Sequence, residues 1–139
     1  MIEVREEPFD ASAALRDFMR EAGEGAIASF VGTVRGNGGV ERLTLDHYPG
    51  FTEKQIAMLV ESAISRHHLN AATVIHRVGA MRPGETILFV AVAAARRRAA
   101  LDALDDIVEH LKTDAPIWKK ELVDGAEHWL EPPASATSR

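Results

Sequence analysis

Residues 86–93, Thr-Ile-Leu-Phe-Val-Ala-Val-Ala, carry no charge and almost nothing but apolar side chains. The run is far shorter than the roughly 20 residues a membrane-spanning helix needs, and its β-branched and aromatic content favours extended chain. Successive side chains of a strand point to opposite faces, so a strand apolar at every position must be covered on both. This one is expected at the centre of a sheet. Residues 25–34, Gly-Ala-Ile-Ala-Ser-Phe-Val-Gly-Thr-Val, are similarly small, apolar and uncharged and read as a second strand buried on both faces. They run into Arg35 and a flexible Gly36-Asn37-Gly38-Gly39 loop. A length of 139 residues suits one domain burying about two-thirds of its unfolded surface.

The remaining elements follow from periodicity and punctuation. Residues 2–4 alternate as a short strand. Asp10 can cap a helix with Leu15, Phe18 and Met19 on its apolar stripe, and Gly23 can end it. Residues 40–48 read as a strand with Leu43, Leu45 and His47 on one face, before a Pro49-Gly50 turn. Thr52 with Gln55 reads as a capping box, opening a helix that turns Ile56, Leu59, Val60, Ala63, Ile64 and His67 to one side. His67 reads as a helix-end histidine rather than a ligand. Residues 72–78 form a strand joined to the central one through the turn Arg82-Pro83-Gly84-Glu85. A helix from about residue 96 to 111 has the stripe Ala100, Leu104, Ile107, Val108 and Leu111. Residues 122–130 read as a hairpin around Asp124-Gly125, with Trp129 packed back on the domain. Strands alternating with two or three helices imply an α+β or α/β domain with a mixed or antiparallel sheet over residues 1–130. Residues 131–139 lack core-forming side chains and read as a flexible tail.

Composition narrows the function. With 16 basic and 21 acidic residues the net charge is −5, which disfavours a non-specific nucleic-acid binder. No apolar run is long enough to span a membrane and no signal peptide is apparent, so a cytoplasmic protein is expected. The sequence contains no cysteine, so it offers no disulfide, thiolate ligand or thiol nucleophile. Apart from the adjacent pair His67-His68 the histidines are scattered, without metal-ligand spacing, and neither metal nor cofactor is expected.

Two clusters of positive charge invite chemistry. In Leu-Lys-Thr-Asp-Ala-Pro-Ile-Trp-Lys-Lys-Glu, residues 111–121, Pro116 forces Ala115 out of helical geometry. Lys112, Lys119 and Lys120 are then expected to flank one compact turn with Trp118 as its anchor. A lysine held among other cations and partly desolvated has a lowered pKa and a usable amine; a solvated basic turn at a helix end is the plainer alternative. Arg96, Arg97 and Arg98 crowd a helix N-terminus, where the macrodipole disfavours cations but the free N–H groups attract anions. They suit a phosphate or carboxylate, or else pairing with nearby Asp or Glu.

Four stretches taken together resemble the large, catalytic subunit of molybdopterin synthase. They are residues 25–35; residues 45–53, Leu-Asp-His-Tyr-Pro-Gly-Phe-Thr-Glu; His76-Arg77-Val78-Gly79 with Pro83-Gly84-Glu85; and residues 111–121. The resemblance implies an α/β hammerhead-type fold and a sulfurtransferase of molybdenum cofactor biosynthesis. Such an enzyme installs the dithiolene sulfurs of molybdopterin on cyclic pyranopterin monophosphate. Sulfur would arrive as a thiocarboxylate on the C-terminal Gly-Gly of a small ubiquitin-like subunit, within a heterotetramer built on a homodimer. A chain without cysteine fits sulfur delivered from outside. By the same resemblance Lys112 and Lys119 are catalytic, and Thr33, Val34, Arg35, Arg96, Arg97, Lys120 and Glu121 bind substrate, with Arg35, Arg96 and Arg97 on the phosphate. Arg96 stands where the family commonly has histidine, and Ala94 where it often has a polar cap. The competing readings are a non-catalytic module for a ubiquitin-like tail or anionic ligand and, more weakly, a single-strand nucleic-acid binder.

Overall fold

The computed structural model describes residues 1–130; the expected tail at 131–139 lies outside the described residues. The elements in chain order are β1 (Ile2–Arg5), α1 (Ala11–Ala22), β2 (Ala26–Thr33), β3 (Val40–His47), α2 (Phe51–His67), β4 (Ala71–Arg77), β5 (Gly79–Met81), β6 (Thr86–Ala94), α3 (Arg97–Asp114), β7 (Ile117–Val123) and β8 (Ala126–Trp129). The architecture is α+β, but with two four-stranded sheets where one was expected. The first runs β1-β4-β6-β2 and the second β5-β3-β7-β8. The first is mixed, because β1 lies parallel to β4 and every other pair is antiparallel. The second is wholly antiparallel.

β6 is central, as its composition requires. Its alternate residues Val90, Val92 and Ala94 enter a core with Ile56, Val60 and Ala63 of α2 and Ala100, Ala103, Ile107 and Leu111 of α3. The intervening Phe89, Ala91 and Ala93 meet Phe18 of α1 on the other face. Helices cover both sides, so neither face can carry a polar residue. β2 departs from expectation: it is an edge strand of this sheet, and Phe30 and Val31 are exposed. Its entry, at Gly25, fits closely against the end of β6. A Cβ on Gly25, at φ +117°, would lie 2.6 Å from the Ala94 carbonyl oxygen.

Local signals hold with adjustments. Asp10 caps α1, its Oδ1 accepting from the N–H groups of Ser12 (2.9 Å) and Ala13 (3.3 Å). The inward stripe of α1 is Ala11, Ala14, Leu15, Phe18 and Ala22, while Met19 is exposed. α2 begins one residue before Thr52. Gly50 donates its N–H to Glu53 Oε1 at 2.8 Å, so Glu53 rather than Gln55 supplies the cap, and Thr52 serves another purpose described below. The turn after β4 conceals the short strand β5, missed because it has only three residues. The β7–β8 hairpin forms on Asp124 (φ 51°) and Gly125 (φ 77°), both positive as a two-residue type I′ turn demands. Trp129 is not packed back; it is 59% exposed.

Candidate functional site

The corner between α3 and β7 is fixed by its neighbours. α3 ends at Asp114, and Ala115 is extended (φ −71°, ψ 130°) as its position before Pro116 dictates. Thr52, fully buried, donates its hydroxyl to the Pro116 carbonyl (3.0 Å) and accepts the Tyr48 N–H (3.0 Å). One side chain thereby ties the start of α2 to the exit of α3. The chain then enters a strand directly, so Lys119 and Lys120 lie in β7 rather than in a turn and point to opposite faces. Lys120 Nζ lies 2.7 Å from Glu127 Oε2 and 5.0 Å from the centre of the Trp129 ring. Trp118, on that same face by alternation, meets Tyr48 edge-on at 4.7 Å.

Lys119 faces a cavity of about 580 Å³ where the two sheets meet α3, a volume within the usual range for small-molecule sites. Phe30 of β2, Ile87 and Leu88 of β6, and Leu101, Leu104 and Val108 of α3 form its apolar wall. Arg35, His76, Lys112 and Lys119 supply its positive side, with Asp105 and Glu109 on the exposed α3 rim. Solvent still reaches Lys119, yet the protein around its ammonium removes part of its hydration. That desolvation, followed by the charges of Lys112 and Arg35, holds its pKa below the ordinary lysine value, against a smaller opposing pull from Glu121. The site can therefore attract an anion and offer it an unusually acidic ammonium.

Arg35 leaves the sheet from a fixed point. The Val34 N–H donates to the Glu85 carbonyl (2.9 Å) and the Val34 carbonyl accepts from Gly84 N–H (2.8 Å). Glu85 is itself held by the Arg77 Nη1 donor at 2.9 Å and by the Arg82 N–H at 2.6 Å; the latter bond first, and then the former, keeps its carboxyl below the usual range. Arg77, with its side chain 5% exposed, also donates twice to the Glu6 carbonyl, at 3.2 and 2.7 Å.

The family model described as MoaE protein matches residues 4–114. The chain belongs to the MoaE family. Among its relatives, the molybdopterin synthase catalytic subunit of Cereibacter sphaeroides is 44% identical over 129 residues, 91% of this chain and 88% of that protein. The fold matches the molybdopterin biosynthesis MoaE protein of Burkholderia ambifaria at a TM-score of 0.82 and 34% identity, covering 99% of this chain and 95% of that one. It matches the molybdopterin synthase of Staphylococcus aureus at 0.82 and 26% identity, covering 93% and 96%.

In this MoaE-family chain the residues singled out from sequence do not all converge. Lys112, Lys119 and Arg35 line one cavity. Glu121 is half-buried, two residues along β7 from Lys119, and close enough to act on its charge. Thr33 is exposed beside a bulge at the end of β2. Val34 is 5% exposed in a small core with Leu43, Leu45, Val78 and Met81, and Lys120 is turned to the hairpin. Arg96 and Arg97, expected beside Arg35, lie far from it within one chain. Arg35 follows the end of β2 and Arg96 follows the end of antiparallel β6, which puts eight paired positions between them, about 25 Å at roughly 3.3 Å per residue. Along α3, Arg97 and Lys112 are about 22 Å apart by helical rise. His76 was not given a role from sequence, although an isolated histidine inside the apolar strand β4 was a visible signal. Asp105 and Glu109 lie on a second, pocket-facing side of α3 that its main apolar stripe does not mark.

Proposed function

We propose that this chain is the catalytic subunit of a molybdopterin synthase acting in the cytoplasm, as a single domain over residues 1–130. It takes sulfur from the thiocarboxylated C-terminal Gly-Gly of a small ubiquitin-like subunit and places it on cyclic pyranopterin monophosphate to form the dithiolene of molybdopterin. Family membership supports the reading, and so do relatives named for that activity. The observation that carries it is the meeting of Lys112, Lys119 and Arg35 in one cavity, with Lys119 made acidic by its surroundings. Anionic substrate and anionic thiocarboxylate are both drawn to such a site although the protein is acidic overall.

For each sulfur a C–S bond forms on a pterin side-chain carbon as the C–O bond there breaks, its oxygen leaving as water or staying with the phosphate. The acyl C–S bond breaks, and water returns the partner's terminus to carboxylate. Lys112 acts on the thiocarboxylate or the intermediate, as amine nucleophile or proton donor. Lys119 holds the substrate and supplies a proton, for which a lowered pKa suits it. Thr33 and Val34 set where Arg35 leaves the sheet, Glu121 moderates Lys119, and Lys120 braces the hairpin beside them. Glycines on the partner's tail allow its backbone to approach the lysines closely. Since Arg96 and Arg97 cannot reach their own chain's pocket, they bind the substrate phosphate only as residues of the second copy in a homodimer.

The test is an assay of the purified chain with thiocarboxylated small subunit and cyclic pyranopterin monophosphate. Product that requires the partner's terminal glycines is expected. Docking without product would leave a non-catalytic module, and equal turnover from free sulfide alone would refute the mechanism. Mixing Lys119→Ala with Arg97→Ala chains should restore activity lacking in each. No restoration would remove the arginines from the site.

A further inference from the structure

The cavity holds one buried titratable group to which the proposed reaction gives no task. His76 is the penultimate residue of β4, 9% exposed, on the pocket wall with Lys119. Its Nδ1 lies 2.8 Å from the Arg77 carbonyl oxygen. A carbonyl can only accept, so Nδ1 carries the hydrogen and the tautomer is fixed. The ring makes its hydrogen bond to protein through Nδ1 alone. Since no buried side-chain polar atom among the described residues lacks a partner, Nε2 keeps open surface, and at this position that surface is the pocket's. Burial chiefly, offset in part by the carbonyl bond and reinforced by the charges of Lys119 and His47, pushes the pKa of His76 down to about 4. At neutral pH the pocket therefore sees an imidazole lone pair.

We propose that His76 Nε2 accepts a hydrogen bond from an N–H of the substrate's reduced heterocycle and so fixes which way round the ring enters beside Lys119. This rests on the molybdopterin synthase reading. As cations, the other polar side chains on the inner wall, Arg35, Lys112 and Lys119, can only donate. A heterocycle rich in N–H groups would meet donors with donors, leaving hydrogens buried and unpaired, which sites of this kind discriminate against strongly. The carboxylates of Asp105 and Glu109 sit on the exposed rim. A carboxylate at position 76 would instead pair with Lys119 and repel the substrate phosphate. A neutral imidazole does neither.

The experiment has two arms. Direct binding of cyclic pyranopterin monophosphate is measured for the wild-type chain and for His76→Asn, whose shorter amide can keep a donor to the Arg77 carbonyl through Nδ2 but places no acceptor where Nε2 stood. We expect binding about tenfold weaker, with small-subunit docking unchanged and the variant folded at neutral pH; wild-type affinity in a folded variant overturns the inference. The second arm needs no variant: the imidazole nitrogens of wild-type His76 are followed by nitrogen-15 NMR. The expected result is a neutral Nδ1–H tautomer across roughly pH 6–8 whose Nε2 resonance moves when substrate is added. An unmoved resonance under saturating substrate also overturns it. If the wild-type chain neither binds nor converts the substrate, the functional reading itself has failed, and the inference falls with it.

Discussion

The two sheets are built to opposite specifications. In the first, residues 89–94 of β6 are at most 1% exposed, with helices pressed on both faces. In the second, all four residues of β8 are exposed, and the small core at its base draws on Leu43, Leu45, Val78 and Met81. The doubly covered stretch of β6 admits no charge, so it cannot carry ionic chemistry, but it provides a rigid apolar wall. The buried ionisable side chains of that sheet, His76 and Arg77, come only at the end of β4. A sheet with an open face can hold a lysine, but it has little apolar area with which to fix one. The cavity lies along the seam. Phe30, Ile87 and Leu88 come from the covered sheet and Lys119 from the open one, with Lys112 brought in by α3. Stability and reactivity are thus separable here, and that separation can be attacked from either side.

The largest effect should come from the covered sheet. Phe89 is fully buried, and Phe89→Ala should cost about 3–5 kcal/mol, read by urea unfolding. Half-buried Leu122 of β7 should cost much less on truncation. Equal costs would show the second sheet to be as tightly built as the first.

A second, slightly smaller effect is a pH dependence from His76. Its folded pKa of about 4 lies below the ordinary imidazole value of 6.5, so the unfolded chain takes up the proton first as pH falls. The stability tied to the neutral ring is complete above about pH 6.5 and drains away between there and about pH 4, up to about 3 kcal/mol. Asp106 and Glu85 have carboxyl pKa values depressed in the fold, so they withdraw support only at or below the carboxylate range and do not mask this window. For Asp106, burial opposes ionisation, but hydrogen bonds from His67 and Arg66 outweigh it. Unfolding curves at several pH values, repeated with His76→Asn, should show a slope that the variant flattens. The same slope in both would place the proton uptake elsewhere.

The same contrast explains what could be read in the sequence. A strand covered on both faces writes its environment into every residue, so β6 was legible as central from composition alone. An apolar edge strand writes almost the same pattern, so β2 was misplaced: composition reports contact with apolar neighbours and does not count them. β5 has too few residues for a period to show. At the site, Pro116 predicted the break after α3, but not that the chain would re-form at once as a strand, because that depends on pairing with β3 some 70 positions earlier. Lys112 and Lys119 could be singled out from the residues of one short segment. The distance between Arg35 and Arg97 could not, since it follows from the antiparallel pairing of β2 with β6. His76 needed the tertiary structure to show that it faces a cavity.

Third in size is the effect on chemistry. Lys119→Ala and Lys112→Ala should each lower turnover about 100-fold or more, equivalent to roughly 2.7 kcal/mol in the barrier. Each should change stability by no more than about 0.5 kcal/mol, because both side chains are exposed. The two are also coupled. Lys112 is the second cause, after desolvation, of the lowered Lys119 pKa. Removing it should move the Lys119 titration, followed by NMR of its side chain, upward towards the ordinary lysine value. A midpoint that stays put would show that the two charges do not share the cavity.

The smallest expected effect sharpens the contrast within a single strand. Lys120 follows Lys119 directly and has the same side chain, but alternation sends it to the other face of β7. There Glu127 Oε2 takes its ammonium at 2.7 Å, and the Trp129 ring lies 5.0 Å away. Both ion-pair partners keep roughly a third of their side-chain surface, so the pair is screened and should contribute no more than about 1 kcal/mol. The exposed cation–π contact should contribute at most about the same. Lys120→Ala should therefore loosen the hairpin slightly and leave turnover within about twofold of wild type, against the hundredfold loss at its neighbour. Salt supplies a control: raising ionic strength should shrink the stability difference between wild type and Lys120→Ala, as expected for a solvent-exposed pair. A loss of turnover approaching that of Lys119→Ala would mean that the substrate or the partner's tail reaches across the strand. The division between the two faces of β7 would then have to be abandoned.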